Sequence, residues 1–179
     1  MEKPQPTMTE YDVLELKRAV NEAGADFWID GGWGVDALLG EQTRPHADLD
    51  IALEGKDEQV IKQVFTTMGF KDVPRDDTRP WNYVLGDDKG RQLDFHIVNL
   101  DANGNGIYGP PENGQMYPAA AFTGEGKIGG QKVKCISPKV MVSFHSGYTL
   151  KEKDYHDVKA LCDKFGIPLP EEYTRFEAK

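Results

Sequence analysis

Two stretches of the chain alternate polar and apolar residues, and this period constrains the fold more than any other feature. The stretches are DLDIALE (residues 48–54) and RQLDFHIV (residues 91–98). Because successive side chains of a β-strand point to opposite faces, the alternation is typical of strands that bury one face. In the second stretch, Asp94 and His96 share the polar face. The pattern therefore predicts a sheet with one apolar face and one face that carries carboxylates.

Segments in which apolar residues recur at helical spacing alternate with strands along the chain. We predict helices at residues 9–24, 33–40, 57–69, 138–148 and 151–165. A short strand at residues 26–30 precedes the pair Gly31-Gly32, and a later hairpin turns at Gly129-Gly130. This order of strands and helices predicts an α/β fold.

Changes in composition divide the chain into four parts. Pro4 and Pro6 prevent regular structure near the start, and residues 101–120 are dominated by Gly, Asn and Pro. We expect a long functional loop there, because ordered loops of this length are uncommon. The predicted parts are a flexible arm (1–8), an α/β core (9–100), this loop (101–120) and a hairpin with a helical subdomain (121–179).

Charge and composition exclude several classes of protein. Lys and Arg total 21 against 30 Asp and Glu, a net charge of −9, and there is no basic cluster of the kind that binds duplex nucleic acid. No stretch approaches the ~20 apolar residues of a membrane span, and the first residues lack the apolar region of a secretory signal. Cys135 and Cys162 are far apart and suit a reducing compartment. We therefore expect a cytoplasmic protein that binds neither nucleic acid nor membrane.

Asp48 and Asp50 open the first alternating strand and present two carboxylates to one side, roughly 6.5–7 Å apart along the chain. If the strand of Asp94 lies beside them, a third carboxylate joins the pair. Carboxylates this close repel one another unless cations intervene, and oxygen ligands suit Mg²⁺ or Mn²⁺. An Asp-x-Asp pair alone is most often solvated surface, but a third aspartate of matching parity favours a metal site. We therefore predict that Asp48, Asp50 and Asp94 bind two Mg²⁺ ions.

The pair Gly31-Gly32 has the features of a phosphate site. Glycine lets backbone N–H groups approach a ligand closely, and the helix that follows offers its positive N-terminus. Arg44 and His46, just before the acidic strand, add positive charge for the same triphosphate. Together with the metal site, this pattern predicts phosphoryl-type transfer from a nucleoside triphosphate by two metal ions.

The ordered set of strand, Gly-Gly, helix, Asp-x-Asp strand and later aspartate resembles the nucleotidyltransferase superfamily of polymerase-β type. The segment WIDGGWGVDALLGEQTRPHADLDI is similar to the antibiotic nucleotidyltransferases that modify lincosamides and the 2″ position of aminoglycosides. The segments QLDFHIVNLDANGNG and CISPKVMVSFHSGYTLKEKDYHDVKAL are more specifically similar to the small lincosamide nucleotidyltransferases. The similarity spans about residues 10–165, and its long ordered parts are more specific than any single motif.

This resemblance implies a nucleotidyltransferase fold, in which helices flank a mixed twisted sheet and a hairpin and helices form the C-terminal portion. It implies transfer of AMP from ATP to a lincosamide hydroxyl with Mg²⁺, which gives resistance in the bacterial cytoplasm. Gly31 and Gly32 then hold phosphate, and Asp48 and Asp50 bind metal. Asp94 is the third carboxylate and the catalytic base. The resemblance also implies a homodimer with the active site near the partner chain.

Four residues are predicted to contact the acceptor. His96 shares a face with the third carboxylate, while Tyr108 and Glu112 lie in the long loop, where we expect acceptor specificity to vary. Glu112 is suited to a cationic amine. Tyr148 ends the motif HSGY, whose simpler interpretation is a helix C-cap.

Other polar and aromatic residues have structural interpretations. Trp33 is expected to pack in the interior, and Asp36 to support its helix or the following loop. Asp154 and Asp157 are expected on the solvent-facing side of the last helix, opposite its apolar residues.

Three other functions stay open at this point. An aminoglycoside acceptor keeps the same chemistry, and an acidic chain suits a polycation. A non-catalytic relative would bind the nucleotide without transferring it, although the presence of all three carboxylates argues against this. A structural protein with an acidic surface pair predicts no stabilisation by Mg²⁺ and ATP.

Overall fold

The computed structural model describes residues 8–177, and within this range the strands form one mixed sheet with helices beside it. The strands are β1 (Trp28–Ile29), β2 (Asp48–Glu54), β3 (Lys71–Val73), β4 (Asn82–Gly86), β5 (Gln92–Leu100), β6 (Gly106–Tyr108), β7 (Met116–Tyr117), β8 (Gly124–Ile128) and β9 (Gln131–Cys135). The helices are α1 (Glu10–Glu22), α2 (Gly31–Leu39), α3 (Glu58–Thr67), α4 (Pro138–Phe144), α5 (Glu152–Phe165) and α6 (Thr174–Glu177). The predicted fold class is therefore confirmed.

The strand order in the sheet is β3-β4-β5-β2-β1-β9-β8, and β6 and β7 extend it from β5. β2 runs parallel to β5, and β1 runs parallel to β9, whereas the other neighbours pair antiparallel. The two alternating sequence stretches are thus adjacent central strands. The hairpin β8–β9 turns at Gly129-Gly130 as predicted, and it belongs to the same sheet as the strands before it.

The apolar faces of β2 and β5 form the centre of the core. Leu49, Ile51, Leu93 and Phe95 are fully buried, as the alternation predicts. Phe65 of α3 meets Phe95 edge to face, with ring centroids 5.9 Å apart. Burial of each such side chain contributes about 1.5–3 kcal/mol, and a slip of one residue would expose the whole set. The core therefore fixes the register that places the polar side chains.

Three element boundaries differ from the prediction. α2 begins at Gly31, two residues early, because the Asp30 carboxylate accepts a hydrogen bond of 2.8 Å from the amide of Gly31 and caps the helix. α4 ends at Phe144 instead of near residue 148, because the backbone leaves helical geometry at His145, which has a ψ of +53°. The strand expected at residues 26–30 is limited to β1.

The segment 101–120 contains short strands where the sequence predicts a loop. β6 pairs with the end of β5, and Val98 lies opposite Tyr108. β7 pairs with β6 in turn, so Tyr117 lies opposite Gly106. The segment therefore adds a small antiparallel extension to the sheet, and this extension carries two tyrosines.

The start of the chain is described from Met8 onward. Of the flexible arm predicted at residues 1–8, Met8 alone lies in the described range. Met8 is buried and donates its amide proton to the carbonyl of His46 at 2.8 Å.

No helix among residues 8–177 has both the length and the apolar character of a membrane span.

Candidate active site

The parallel pairing of β2 and β5 brings the predicted acidic residues together. Asp50 lies directly opposite Asp94 in the register, and both side chains are on the polar face. Among the described residues, Asp50, Asp94 and His96 form a group whose ligand atoms all lie within 4.8 Å of one another. Asp48 is outside this tight group, since it is exposed at the start of β2 and lies opposite Gln92. Side chains from two adjacent strands, β2 and β5, therefore form one acidic cluster.

The loss of solvent and the neighbouring charges disfavour the ionised forms of Asp94 and Asp48. Burial raises the pKa of Asp94 to about 6, and the charges of Asp50 and Asp48 add to the effect. Partial desolvation by the surrounding protein atoms and the charge of Asp50 likewise raise the pKa of Asp48, although its side chain stays exposed. A divalent cation would relieve the repulsion between these carboxylates, whose oxygens are the ligands that Mg²⁺ or Mn²⁺ prefers. The residues present therefore fit a metal site.

His96 is the cationic partner of the cluster. Its Nε2 lies 3.6 Å from Asp50 Oδ1, and its Nδ1 lies 3.2 Å from the hydroxyl of Tyr108. Burial alone would lower the pKa of His96, but the hydrogen bond to Asp50 and the charges of Asp30, Asp50 and Asp94 raise it to about 9. In the metal-free protein, a protonated His96 therefore balances part of the negative charge.

This balance predicts a pH dependence of stability for the metal-free protein. Because the pKa of His96 is higher in the folded than in the unfolded chain, its contribution is complete below about pH 6.5 and is lost as the pH rises through about 9. We expect the free energy of unfolding to fall by roughly 1–3 kcal/mol over this window in denaturant titrations with chelator present. His96→Gln should flatten the profile, and an unchanged slope would contradict the assignment.

The N-terminus of α2 lies directly against Asp50. Gly31 has a φ of +55°, and a Cβ built on it would lie 2.1 Å from Asp50 Oδ2, so only glycine fits. The first intrahelical bond of α2 runs from the amide of Gly34 to the carbonyl of Asp30. The amides of Gly32 and Trp33 precede this bond and are oriented like other N-terminal helix donors. These donors and the helix dipole suit an anionic group beside the acidic cluster.

Arg44 and His46 pack against the second glycine, as the phosphate prediction requires. A Cβ on Gly32 would lie 2.4 Å from His46 Nδ1 and 2.8 Å from Arg44 Nη2. His46 is buried, and its Nε2 lies 2.5 Å from Asp36 Oδ2. Asp36 also accepts hydrogen bonds from the amide and hydroxyl of Thr43, which is the supporting role predicted for it. The glycine, the guanidinium and the imidazole thus form one compact wall.

Two cavities meet at Asp50, which belongs to the acidic cluster. The first cavity has a volume of about 480 Å³ and lies beside Gly31-Gly32. Its lining includes Gly32, Arg44, His46, Asp48 and Lys153. The second, of about 720 Å³, is bounded mainly by aromatic and apolar side chains, and its lining includes Asp30, His96, Tyr108, Met116, Tyr117, Phe144 and Tyr148. Gly31, Asp50, His145 and Tyr148 line both. The arrangement can hold a polyanion on one side of Asp50 and an organic molecule on the other.

The structure places three of the four predicted acceptor residues at the larger cavity. His96, Tyr108 and Tyr148 line it. Glu112 is exposed on the 3₁₀ turn Pro111–Asn113 and is not among the lining residues. The neighbouring residues Gly114 to Met116 line the cavity instead.

The interpretation of Asp154 and Asp157 as solvent-facing residues is wrong, because both are buried. Asp154 caps α5 by accepting the amide proton of Lys151 at 2.7 Å, and the hydroxyl of Tyr148 donates to it at 3.2 Å. Asp157 accepts two hydrogen bonds from Arg44. The capping position of Asp154 could be found in the sequence, whereas nothing local indicates the partner of Asp157.

Sequence reasoning also missed Asp30 and Asn82. Burial raises the pKa of Asp30, whose carboxylate accepts a 3.0 Å hydrogen bond from Tyr117 and lines the larger cavity. Asn82 on β4 donates its amide to Asp94 Oδ1 at 3.1 Å. The position of Asp30 just before a helix is a recognisable N-cap signal, but the contact of Asn82 depends on strand pairing.

Comparisons with known proteins agree with this geometry. The family described as aminoglycoside-2″-adenylyltransferase matches residues 12–161. A lincosamide resistance protein of Staphylococcus haemolyticus is 32% identical over 154 residues, which cover 86% of this chain and 94% of that protein.

Solved structures give the same result. The crystal structure of a lincosamide antibiotic adenylyltransferase with bound lincomycin superposes with a TM-score of 0.76 at 31% identity, covering 90% of this chain and 99% of that one. The structure of ANT(2″)-Ia in complex with adenylyl-2″-tobramycin has a TM-score of 0.71 over 94% of each chain, but at 19% identity this likeness concerns the fold alone. The resemblance to the lincosamide nucleotidyltransferases is thus confirmed, and the chain belongs to the aminoglycoside-2″-adenylyltransferase family of nucleotidyltransferases.

Proposed function

We propose that this nucleotidyltransferase transfers AMP from ATP to a hydroxyl group of a lincosamide and thereby confers resistance to the antibiotic. The observation that carries the proposal is the similarity to two lincosamide proteins over nearly their whole length. Asp50 of the acidic cluster lies between a cavity lined by Arg44 and Lys153 and an aromatic cavity, which supports a site where the two substrates could meet.

Asp50 and Asp94 would hold the divalent metal, and Asp48 would be a further ligand. The expected occupants are two Mg²⁺ ions. Bound cations of this kind neutralise charge on the reacting phosphate and lower the pKa of a coordinated hydroxyl. The close approach of Gly31 to Asp50 supports this placement, because it puts the helix N-terminus and the carboxylate at one point. Asn82 holds Asp94 Oδ1, which fixes the orientation of that carboxylate.

The triphosphate of ATP would lie in the smaller cavity. Gly31 and Gly32 at the start of α2 line the same cavity as Arg44 and His46. Backbone donors, a helix N-terminus and a guanidinium are a common combination for phosphate groups. Lys153 also lines this cavity and adds one more cation.

The acceptor would lie in the larger cavity with its hydroxyl toward Asp94. Asp94 is proposed as the base, because it is the third carboxylate of the two strands and lies directly opposite Asp50, which lines this cavity. His96, Tyr108 and Tyr148 contact the acceptor in this arrangement. Phe144 and Met116 form an apolar part of the wall, which suits an acceptor with alkyl substituents better than a polycation.

Turnover with defined acceptors tests this function. We expect pyrophosphate release from ATP and Mg²⁺ in the presence of lincomycin or clindamycin, and none with kanamycin or tobramycin. Removal of Mg²⁺ by chelation should abolish the reaction, and its return should restore it. Turnover of an aminoglycoside in place of the lincosamides would support the alternative acceptor. Stabilisation by Mg²⁺ and ATP without turnover of any acceptor would support a nucleotide-binding relative.

We also infer a cytoplasmic homodimer. The resemblance to small lincosamide nucleotidyltransferases supports the dimer, and the two separate thiols of Cys135 and Cys162 support a reducing compartment. Sedimentation equilibrium of the purified protein would give twice the chain mass if the dimer forms.

A further inference from the structure

The loop that leads into β2, residues 41–47, is fastened to α5 at the far end of the sequence. Arg44 Nε donates to Asp157 Oδ1 at 2.9 Å, and Arg44 Nη2 donates to Asp157 Oδ2 at 2.6 Å. Thr43 and His156 make a second contact of 3.0 Å between the same loop and helix. From this geometry we propose that Asp157 is a positioning residue, which holds the guanidinium of Arg44 ready for the triphosphate of ATP.

The proposal rests on the phosphate role of Arg44 proposed above. Asp157 is buried, with its side chain 2% exposed, whereas Arg44 is 24% exposed toward the cavity. The carboxylate therefore anchors one edge of the guanidinium from inside the protein. Within residues 8–177, the terminal nitrogen Nη1 makes only a long contact of 3.4 Å, to the carbonyl of Pro45. Donor capacity on the outer edge is thus available to a ligand.

The anchored guanidinium lies where an anion would be bound. Its Nη2 is 2.8 Å from the Cβ position of Gly32, so it packs against the first turn of α2. The cavity beside it also contains Asp48, Asp50 and Lys153. An oxygen of a triphosphate at this point could accept from both the helix amides and the guanidinium.

The ion pair of Arg44 and Asp157 would preorganise the guanidinium for ATP. A free arginine loses side-chain freedom when it binds a phosphate, whereas an arginine already held at two nitrogens loses less. The bidentate geometry also fixes the plane of the guanidinium, which a single hydrogen bond would not. Without Asp157, Arg44 would keep its charge but would have to be ordered by ATP itself.

A purely structural role predicts a different result. A buried carboxylate paired with arginine could serve only to attach α5 to the loop, and its loss would then lower stability without a specific effect on ATP. The two roles can be separated by the Michaelis constants of the two substrates, because Asp157 itself lines neither cavity.

The test compares Asp157→Asn, Arg44→Gln and the double variant with the wild-type enzyme. We expect Asp157→Asn to raise KM for ATP about tenfold while KM for lincomycin changes by less than about twofold. Arg44→Gln should have a similar effect on KM for ATP. In the double variant the two effects should not add, because Asp157 acts through Arg44. Val158→Ala, a buried change on the same helix, is the control for lost stability and should leave both KM values unchanged.

Several outcomes would overturn the proposal. An unchanged KM for ATP in folded Asp157→Asn, or additive effects in the double variant, would assign Asp157 a structural role. If Arg44→Gln leaves KM for ATP unchanged, the phosphate role of Arg44 fails. If the wild-type enzyme turns over no antibiotic, the proposed function fails first.

A second variant covers the case in which Asp157→Asn does not fold. Arg44→Lys keeps the charge but cannot make the two-point contact with Asp157. A raised KM for ATP in this variant supports the positioning of a planar guanidinium, and a wild-type value contradicts it.

Discussion

Asp94→Asn is expected to lower kcat/KM for adenylyl transfer by about a thousandfold or more. Asparagine keeps the size of the side chain and an oxygen that can accept the hydrogen bond from Asn82. It removes both the negative charge that the metal requires and the proton acceptor. The measurement is pyrophosphate release at saturating Mg²⁺, with Asp88→Asn, an exposed turn residue, as the matched control.

In the absence of metal, the Asp94→Asn variant should be at least as stable as the wild-type protein. The pKa of Asp94 is about 6 in the folded protein, above its ordinary value of 3.8, so folding disfavours the ionised form. The stability that protonated Asp94 provides is present below about pH 4 and is lost as the pH rises through about 6. Near pH 7 the neutral amide of the asparagine avoids this loss of stability. The melting temperature of the variant should therefore equal or exceed that of the wild-type protein. Inactivity together with a large fall in melting temperature would mean that Asp94 supports the fold rather than the reaction.

Gly31→Ala is expected to reduce turnover about a hundredfold or more, because its new methyl group would occupy the position of Asp50 Oδ2. The carboxylate would have to move away from the helix N-terminus, which separates the metal and phosphate sites. The positive φ of Gly31 adds backbone strain of about 1 kcal/mol. Steady-state kinetics and thermal unfolding measure the two effects separately.

Gly24→Ala is the matched control for Gly31→Ala. Gly24 has a φ of +82°, but nothing lies within 4 Å of a Cβ built there. Its substitution should therefore cost a similar amount of stability and leave turnover unchanged. Equal loss of activity in both variants would show that strain, and not the displacement of Asp50, causes the effect.

The centre of the fold could be predicted because it depends on alternation within single strands. The stretch 48–54 is a strand over its whole length, and the stretch 91–98 is a strand from residue 92. The apolar residues of both are buried as expected. The step that sequence alone left conditional was their adjacency, which parallel pairing of β2 and β5 provides. Asp94 therefore lies beside Asp50 on the polar face.

What the sequence did not indicate depends on distant or very short interactions. β6 and β7 have three and two residues, too few for any alternation to be visible. Asp157 looked like a solvent-facing helix residue because its partner Arg44 is 113 residues away. Asn82 reaches Asp94 only through the pairing of β4 with β5.

The family resemblance and the residues contribute different parts of the account. The resemblance to lincosamide nucleotidyltransferases is confirmed by relatives that match most of the chain. The roles of individual residues stay predictions, and they derive from the position of each side chain relative to the acidic cluster. The acceptor residues illustrate the difference, since His96, Tyr108 and Tyr148 line the larger cavity and Glu112 does not.

Anomalous diffraction from Mn²⁺ tests the central claim most directly, in crystals grown with a non-hydrolysable ATP analogue and clindamycin. We predict a manganese peak bound by carboxylate oxygens of Asp50 and Asp94 at about 2.0–2.2 Å, with the phosphates against Gly31 and Gly32. Manganese at another place in the protein, or phosphates bound away from the diglycine, would contradict the account.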